Sequence, residues 1–285
     1  MKIEQNRIIN IPKGSINKII SHLKEKNCDM NKLDSIFLRF MGTPKNGYIR
    51  IKEKSISKAN FLYKITQAKA EVVNVTLIPG ETTYIFFKQL AKKLNLDITK
   101  LRKEFKKQSP IEEGAFLADT YNVFKKTNEK RVIKSLLTRS LKRMKKISFK
   151  IFNSYDEKRW FKYITIASVI QKESANNKEM PIVSSVIYNR LKKGMRLQMD
   201  GTLNYGKYSH IKVTSKRIRE DRSRFNTYKI KGLPAIPVCN VSFNAIKSAI
   251  YPVKTDYLYF MKNKKGVHDF SRNYSTHLKN INATK

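Results

Sequence analysis

The segment that ends at Glu173 places a carboxyl group where a buried helix would carry an apolar side chain. The residues before it form an apolar stripe at helical spacing, and Glu173 is the next position on that stripe, after Tyr163, Ile166, Ala167 and Ile170. A carboxyl group there is costly while it is ionised, so its pKa should be raised. A raised pKa suits a general acid that works near neutral pH. The same pattern also fits a glutamate that merely ends a frayed helix in water.

A second helix and a polar loop follow this segment. The helix is predicted to start near Pro181, a favoured first-turn residue, and to end at Gly194 as its C-cap. Residues 195–206 carry closely spaced polar groups bracketed by apolar ones, which is more typical of the lip of a pocket than of a strand. Further candidates are unremarkable one at a time, and a single histidine is more often structural than catalytic. They are Asn226, Tyr228, Asn240, the apolar strand 257–261 and the turn 266–270 with His268.

The N-terminal part of the chain carries a weak internal echo. In residues 7–11 and again in residues 72–78, a strand-like apolar stretch meets a Pro/Gly turn and then a helix. The helices are predicted to start at Ser15 and at Glu81 or Thr82. The two units are small and of α+β type, and a repeat of two is too short for a solenoid.

A basic helix is predicted over Glu129–Lys146, with its apolar residues on one side. Such a helix could lie on an anionic membrane. A stripe of this kind more often packs in a core and leaves a solvated Lys/Arg face, and we favour that interpretation.

The charge of the chain narrows the classes of partner without choosing one. Its 285 residues include 60 Lys and Arg against 22 Asp and Glu, a formal net charge of +38. Polyanions are therefore candidate partners, but the basic residues are mostly Lys, spread over the whole chain, which favours a composition bias. No nucleic-acid-recognition signature accompanies them, so specific nucleic-acid binding is not predicted.

Apolar runs and cysteines give two further expectations. No apolar run approaches the roughly 18 residues of a membrane-spanning helix, and the first residues lack a signal-peptide core, so the chain as given is predicted to be soluble. Cys28 and Cys239 have no CxxC partner. They fit buried free thiols better than a zinc site, and one long-range disulfide stays open.

Several short motifs become distinctive when they are taken together and in order. The series ASVIQKES, NRLKKGMRLQMD, NTY, GLP, YLYF, GVHDF and STH, supported upstream by IPGET and EGAFLADTY, resembles the endolytic peptidoglycan (murein) transglycosylases. The resemblance covers nearly the whole chain and is most specific over residues 160–280. It implies an α+β fold in three parts. These are a lysin-motif-like N-terminal region of two weakly similar units (1–122), a basic helix and linker (123–156), and a mixed α/β catalytic domain with a buried helix that carries the catalytic Glu (157–285).

The resemblance also implies the site residues. Glu173 stands at the family's catalytic glutamate, the single acid/base, and Gln171 replaces a second Glu that is usual two positions earlier. The positions implied to line the glycan cleft are Gln198, Asp200, Asn226, Tyr228, Tyr259 and His268. Gly201 stands where a Pro is usual, and residues 235–236 and 241–242 also depart from the family pattern. These departures put the loop shape in doubt and not the reaction.

The implied reaction is cleavage, within the strand, of the β-1,4 bond between N-acetylmuramic acid and N-acetylglucosamine. One carboxyl group suffices when the muramoyl 6-hydroxyl of the substrate attacks and leaves a 1,6-anhydro end. The resemblance therefore implies no metal or cofactor. Two alternatives stay open: a lysozyme-like hydrolase that uses Glu173 with Asp200, and a non-catalytic protein that binds cell-wall glycan.

Location and partners also follow from the resemblance alone. It implies an extracytoplasmic site of action, on the periplasmic side of the inner membrane. The family normally carries one N-terminal membrane-spanning helix, and this sequence starts about where that helix would have ended, so a truncated or processed form, or an upstream segment, is expected. The implied partners are peptidoglycan glycan strands and wall-synthesis proteins such as penicillin-binding proteins, with an anionic membrane surface as a further candidate.

Overall fold

A computed structural model describes residues 7–67 and 71–284 of the chain. Within those residues the fold is mixed α+β, with eleven α-helices and three two-stranded sheets, which confirms the predicted fold class. Contacts divide the chain into two units. The first comprises the chain up to Asn74 with Asn122–Asn128, and the second comprises Val75–Tyr121 with the chain from Glu129 onward. These packing units cut the chain differently from the predicted three-part division, which stays a prediction.

The first unit is built on an antiparallel strand pair. Its elements are β1 (Arg7–Ile11), α1 (Ile16–Glu25), α2 (Lys32–Met41), β2 (Gly47–Ile51) and α3 (Lys58–Gln67). Ile9 of β1 lies opposite Ile49 of β2, and both side chains are buried. Ser15 caps α1 by accepting a hydrogen bond from the Lys18 amide, as the sequence predicts. Helical residues complete the core, among them Ile20, Leu23, Leu38, Phe61 and Ile65.

The order strand, helix, helix, strand occurs a second time. Strands β3 (Val72–Thr76) and β4 (Thr120–Phe124) form a two-stranded sheet, with α4 (Thr83–Leu94) and α5 (Ile98–Gln108) between them in sequence. Thr82 caps α4 by accepting from the Ile85 amide. The internal echo of the sequence is therefore present in the element order, while the lysin-motif-like assignment stays a prediction.

The rest of the second unit is mainly helical. Its elements are α6 (Glu129–Phe152), α7 (Glu157–Glu173), α8 (Met180–Lys192), α9 (Ser215–Glu220), α10 (Phe243–Ile250), β5 (Tyr259–Lys262), β6 (His268–Ser271) and α11 (Tyr274–Thr284). Helix α7 lies at the centre and packs against α8 and α10. Strands β5 and β6 pair antiparallel, with Phe260 opposite Phe270.

The predicted basic helix is α6, and its apolar side packs in the core. It is longer than predicted, and its apolar side is buried at Val132, Ile133, Leu136, Leu137 and Met144 while most of its Lys and Arg side chains are exposed. The packed-core interpretation is therefore confirmed for this helix. Across residues 7–67 and 71–284, no helix is both long and apolar enough to cross a membrane. Cys28 and Cys239 are buried thiols, as the favoured interpretation predicts.

Candidate active site

Glu173 is the last residue of α7, the helix at the centre of the second unit. Helix α7 begins at a capped end, where the Asp156 side chain accepts from the Arg159 amide. All residues from Ile164 to Ile170 are buried, so the helix is enclosed on every side there and not only along the predicted stripe. Its last residues become half-buried, and Glu173 is one of them. The carboxyl group therefore lies where the protein interior meets the surface.

The carboxyl group of Glu173 is held by a backbone donor. The Gly201 amide donates a hydrogen bond to Glu173 Oε1 over 2.7 Å. Burial raises the pKa of Glu173 to about 7, and the negative charge of Asp200 adds to the rise, while the Gly201 amide and the Arg190 cation oppose it. A carboxyl group with this pKa is protonated in about half of the molecules at pH 7, which suits a proton donor near neutrality.

The loop that presents Gly201 is fixed at both ends. Helix α8 ends in a Schellman motif in which the Met195 amide donates to Arg190 O (2.9 Å) and the Gly194 amide donates to Leu191 O (3.1 Å). Gly194 has φ 66°, a left-handed conformation that favours glycine. The C-cap of α8 is Lys193, so the C-cap predicted at Gly194 is one residue too late. The amides of Gln198 and Met199 then bind the backbone and hydroxyl oxygens of Thr227, at 3.1 and 3.0 Å. A short 3-10 helix over Asp200–Leu203 follows directly.

Asp200 and Tyr228 form a hydrogen-bonded pair beside this acid. The Tyr228 hydroxyl donates to Asp200 Oδ1 over 2.7 Å. Burial raises the pKa of Tyr228, and its hydrogen bond to Asp200 and the charges of Asp200 and Glu173 raise it further, so the hydroxyl stays protonated as a donor. Asp200 is exposed and Tyr228 is half-buried, so both lie at the surface next to Glu173.

Asn226 lies behind Tyr228 and does not reach the surface. Its side chain is fully buried, and its amide group donates to Ile218 O (2.9 Å) and Asp221 O (2.7 Å) while its oxygen accepts from the Tyr228 amide (3.1 Å). These contacts hold the loop that carries Tyr228. A direct contact of Asn226 with a glycan stays a prediction.

Gln198 and Tyr259 flank the same region. Gln198 is exposed and has φ 48°, which is uncommon for a residue with a side chain and marks a sharp bend in the loop. Tyr259 is half-buried, and its ring stacks on His277 with centroids 5.3 Å apart.

Arg190 connects these elements, and the sequence analysis did not identify it as a site residue. Its side chain is buried, with Nε donating to Leu258 O and Nη1 donating to Leu197 O, each over 2.6 Å. The guanidinium also lies 5.2 Å from the centroid of the Tyr259 ring. Arg190 thus ties the residue before Gln198 to the residue before Tyr259. Its position in the NRLKKG motif was the only signal available.

His268 lies in a second cluster, with Glu179. His268 Nδ1 is 2.7 Å from Glu179 Oε2, and the His268 amide donates to Glu179 Oε1 over 2.9 Å. Glu179 Oε2 also accepts from the Ala175 amide (3.0 Å), two residues beyond Glu173. Burial alone would raise the pKa of Glu179, but these hydrogen bonds outweigh it and the pKa is lowered. The contacts describe His268 as a residue that anchors the chain after Glu173.

The two residues before Glu173 point away from it, as predicted from the helical spacing. Gln171 Oε1 accepts from the Ser242 amide over 3.1 Å at the start of α10. Lys172 Nζ donates to Ser209 Oγ over 3.0 Å. A carboxyl group at position 171 would therefore face α10 and not the group that Glu173 faces.

A second buried carboxyl group, Glu113, is fully occupied by donors. It accepts from the Thr83 amide, the Thr83 hydroxyl, the Gly114 amide and Asn240 Nδ2. Burial raises the pKa of Glu113 to about 7 despite these bonds. The cluster joins the start of α4 to the segments around Gly114 and Asn240, so we assign it a structural role. No group of three or more His, Cys, Asp or Glu within the described residues could hold a metal ion.

Comparisons with known proteins relate this chain to one family over nearly its full length. The sequence matches the YceG-like family over residues 9–283. An endolytic murein transglycosylase of Bacillus subtilis is 27% identical over 300 residues, which covers 95% of this chain and 82% of that protein. One of Streptococcus pneumoniae is 30% identical over 177 residues, 59% of this chain, and the match spans only 31% of that longer protein.

A solved structure shows the same fold over nearly the full length. The crystal structure of a YceG-like protein of Listeria monocytogenes superposes with a TM-score of 0.60 at 25% identity, covering 97% of this chain and 99% of that one. The family match spans almost the whole chain and includes Glu173. This chain therefore belongs to the YceG-like family.

Proposed function

We propose that this protein is an endolytic murein transglycosylase, a lyase that cuts peptidoglycan glycan strands internally, with Glu173 as its sole acid/base. The names of its curated relatives support the activity and the substrate. The observation that carries the residue assignment is the half-buried Glu173 carboxyl group, which has a pKa of about 7, accepts the Gly201 amide and lies beside Asp200 and Tyr228.

In the proposed reaction Glu173 gives one proton to the departing sugar and regains one from the muramoyl 6-hydroxyl. Protonated Glu173 donates its proton to the glycosidic oxygen between N-acetylmuramic acid and N-acetylglucosamine. The C–O bond to the muramoyl anomeric carbon breaks, and an oxocarbenium-like centre develops there. The Glu173 carboxylate then takes the proton of the muramoyl 6-hydroxyl, whose oxygen bonds to the anomeric carbon and closes the 1,6-anhydro ring. The acid is regenerated, and because the nucleophile belongs to the substrate, no water is consumed.

The Gly201 amide has a defined part in this cycle. It donates to the carboxylate that forms after proton transfer, which stabilises the ionised state in the middle of the reaction. Burial favours the protonated state at the start. The two opposing effects keep the pKa near the pH at which both halves of the reaction must run.

The role of Asp200 distinguishes a transglycosylase mechanism from a hydrolase mechanism. A hydrolase needs a second carboxylate as nucleophile or as the base that activates water. Asp200 Oδ1 accepts the Tyr228 hydroxyl, an arrangement that suits a residue which orients its neighbours and tunes Glu173. We therefore assign Asp200 and Tyr228 to substrate positioning, together with Gln198 and Tyr259. Asn226 and His268 act from behind, through the loops that they hold.

Product analysis tests the proposal. Purified peptidoglycan is digested with the wild type and with Glu173→Gln, and the glycan ends are read by mass spectrometry. The wild type should give anhydro ends, lighter by one water than hydrolysed ends, and Glu173→Gln should give none. Hydrated ends would identify a hydrolase. Equal release by both proteins would reject Glu173, and binding without release by either would indicate a glycan-binding protein.

Location and partners belong to the same proposal. A murein substrate implies action outside the cytoplasm, and we propose the outer face of the inner membrane as the site. Cutting strands as they are made requires a nearby polymerase, so we propose penicillin-binding proteins and other wall-synthesis proteins as partners. The exposed Lys and Arg face of α6 is available to an anionic membrane surface.

A further inference from the structure

The second unit contains a groove that the proposed reaction does not use. Its cavity volume is about 1170 Å³, and Glu173 is not among its lining residues. One side is the exposed face of α5, with Thr99, Arg102, Lys103 and Lys106 at helical spacing. The other side comes from residues 205–207 and 224–225, and buried side chains form the bottom, among them Phe87, Phe105 and Val238.

The groove carries positive charge that the protein does not neutralise. Five cations line it, namely Arg102, Lys103, Lys106, Lys207 and Arg224, against two carboxyl groups. Glu112 is paired with Arg224, and Glu113 is occupied by its four donors. Within residues 7–67 and 71–284, the other four cations form no ion pair with a carboxylate. An anionic ligand would therefore be attracted to this concave surface.

Aromatic rings lie between these cations. Tyr84, Tyr205 and Phe225 line the groove and are half-buried, and the rings of Tyr205 and Phe225 stack with centroids 4.4 Å apart. Such a surface suits a ligand that alternates short apolar groups with carboxylates. A bare phosphodiester polymer would use the cations alone, because it offers no apolar group to the rings.

A hydrogen bond and a short stretch of chain connect the groove with the surroundings of Glu173. The Val238 amide at the bottom of the groove donates to Ser168 Oγ over 2.9 Å, and Ser168 lies five residues before Glu173 on α7, about 7.5 Å along the helix axis. Tyr205 lies four residues after Gly201, which binds Glu173. Four residues of chain span at most about 14 Å, so Tyr205 lies within that distance of Gly201. A substituent of four or five residues on a sugar at Glu173 would extend roughly 13–18 Å, which is long enough to span it.

We propose that this groove binds the peptide stem of peptidoglycan through its free carboxylates, with Lys103, Lys106 and Lys207 as the main cations. The stem is attached to the muramic acid that Glu173 would attack, and it is a short peptide with apolar side chains and several carboxylates. This inference rests on the proposed function, because it assigns a second part of the same substrate. The groove would then favour strands that still carry their stems.

Binding measured without catalysis tests the inference. Titration calorimetry in the Glu173→Gln background uses three ligands: a disaccharide with a free-carboxylate pentapeptide stem, the same compound with its carboxylates amidated, and the disaccharide without a stem. The groove variant is K103Q/K106Q/K207Q. The matched control is K142Q/K146Q/K150Q, which removes the same charge from exposed lysines of α6. Thermal melts confirm that both variants are folded.

The groove variant should bind the stem-bearing ligand roughly tenfold more weakly, since each exposed charge contact contributes modestly. The control variant should bind the stem-bearing ligand within about twofold of the affinity of the Glu173→Gln protein that keeps all its lysines. Equal losses in the two variants, equal binding of the amidated ligand, or a loss on the stem-free disaccharide would overturn the inference. Displacement of the stem by a phosphodiester wall polymer at equal concentration would do so as well. Because this readout needs no turnover, the groove can be confirmed even if digestion yields no anhydro ends, which would count against the proposed function alone.

Discussion

The backbone amide of Gly201 and the carboxyl group of Glu173 are in direct contact, and nothing larger than glycine fits between their neighbours. A Cβ atom at position 201 would lie 2.7 Å from Glu173 Oε1 and 2.6 Å from Lys172 Cβ. The first of these atoms belongs to the proposed acid and the second to the helix that carries it. Gly201 is therefore a positioning residue for Glu173 through its lack of a side chain as well as through its amide.

Gly201→Ala should lower kcat by about 10- to 100-fold, because the methyl group displaces the carboxyl group from its donor. The alkaline limb of the pH profile should also move to higher pH, because the Gly201 hydrogen bond lowers the pKa of Glu173 and its loss raises it. Steady-state kinetics against pH measure both effects. Gly194→Ala is the matched control, because it strains a left-handed residue with no atom within 4 Å. It should lower the melting temperature and leave the pH profile unchanged, and a similar shift in both variants would refute the assigned role.

Asp200→Asn should move the alkaline limb of kcat/KM to lower pH. The wild-type acid has a pKa of about 7, so activity should fall tenfold per pH unit well above that value. The Asp200 charge disfavours a second negative charge nearby, and its removal lowers the pKa of Glu173. The variant should stay active at acidic pH and still produce anhydro ends. Complete loss of activity at every pH would instead favour a hydrolase in which Asp200 is a second catalytic carboxylate.

Glu113→Gln should flatten the dependence of stability on pH. With a folded pKa of about 7 against an ordinary value of 4.5, the folded protein holds a proton that the unfolded chain has released between those values. The free energy of unfolding therefore falls as pH rises from about 4.5 through 7, and this contribution disappears in the variant. The amide also meets the donors that converge on Glu113, so we expect a loss of about 1–3 kcal/mol at pH 5. Urea unfolding from pH 5 to 8 measures both, with Glu112→Gln as the exposed control. An unchanged slope would contradict the assignment.

Arg190→Lys should destabilise the protein by about 1–3 kcal/mol, because an ammonium group cannot reproduce the planar fork that reaches Leu197 O and Leu258 O. Activity should also fall, since those carbonyls precede Gln198 and Tyr259. Arg196→Lys, at an exposed position, should change stability by less than about 0.5 kcal/mol. Denaturant unfolding of the two variants compares them directly, and equal stabilities would show that the buried fork contributes nothing.

The elements that local chemistry specifies were predictable from the sequence. Ser15 and Thr82 mark the starts of α1 and α4 because a hydroxyl before an apolar periodic run satisfies the free amides of the first turn. Gly194 marks the end of α8 because a left-handed residue closes a helix there. The placement of Glu173 on the apolar stripe of α7 was also predictable, because its spacing from the apolar residues requires only that a helix form.

The partners of Glu173 were not predictable in the same way. Gly201 acts through its amide, which every residue except proline possesses. Its presence where the family resemblance implies a proline was the one sequence signal for a donor at this position. Arg190 reads as one basic residue among many in a chain of charge +38, and only its burial against distant carbonyls distinguishes it. Glu113 and Asn240 meet across 127 positions of sequence. Contacts at that separation depend on packing that local spacing does not encode.

Gln171 makes the contact between α7 and α10 independent of pH. Its side-chain oxygen holds the Ser242 amide, and Ser242 in turn caps α10. A carboxamide neither gains nor loses a proton across the range in which proteins stay folded, so this anchor between the two helices has the same strength in acid and in alkali. When Glu173 at the end of α7 gains or loses its proton, the hydrogen bond between Gln171 and Ser242 therefore keeps α7 attached to α10 unchanged.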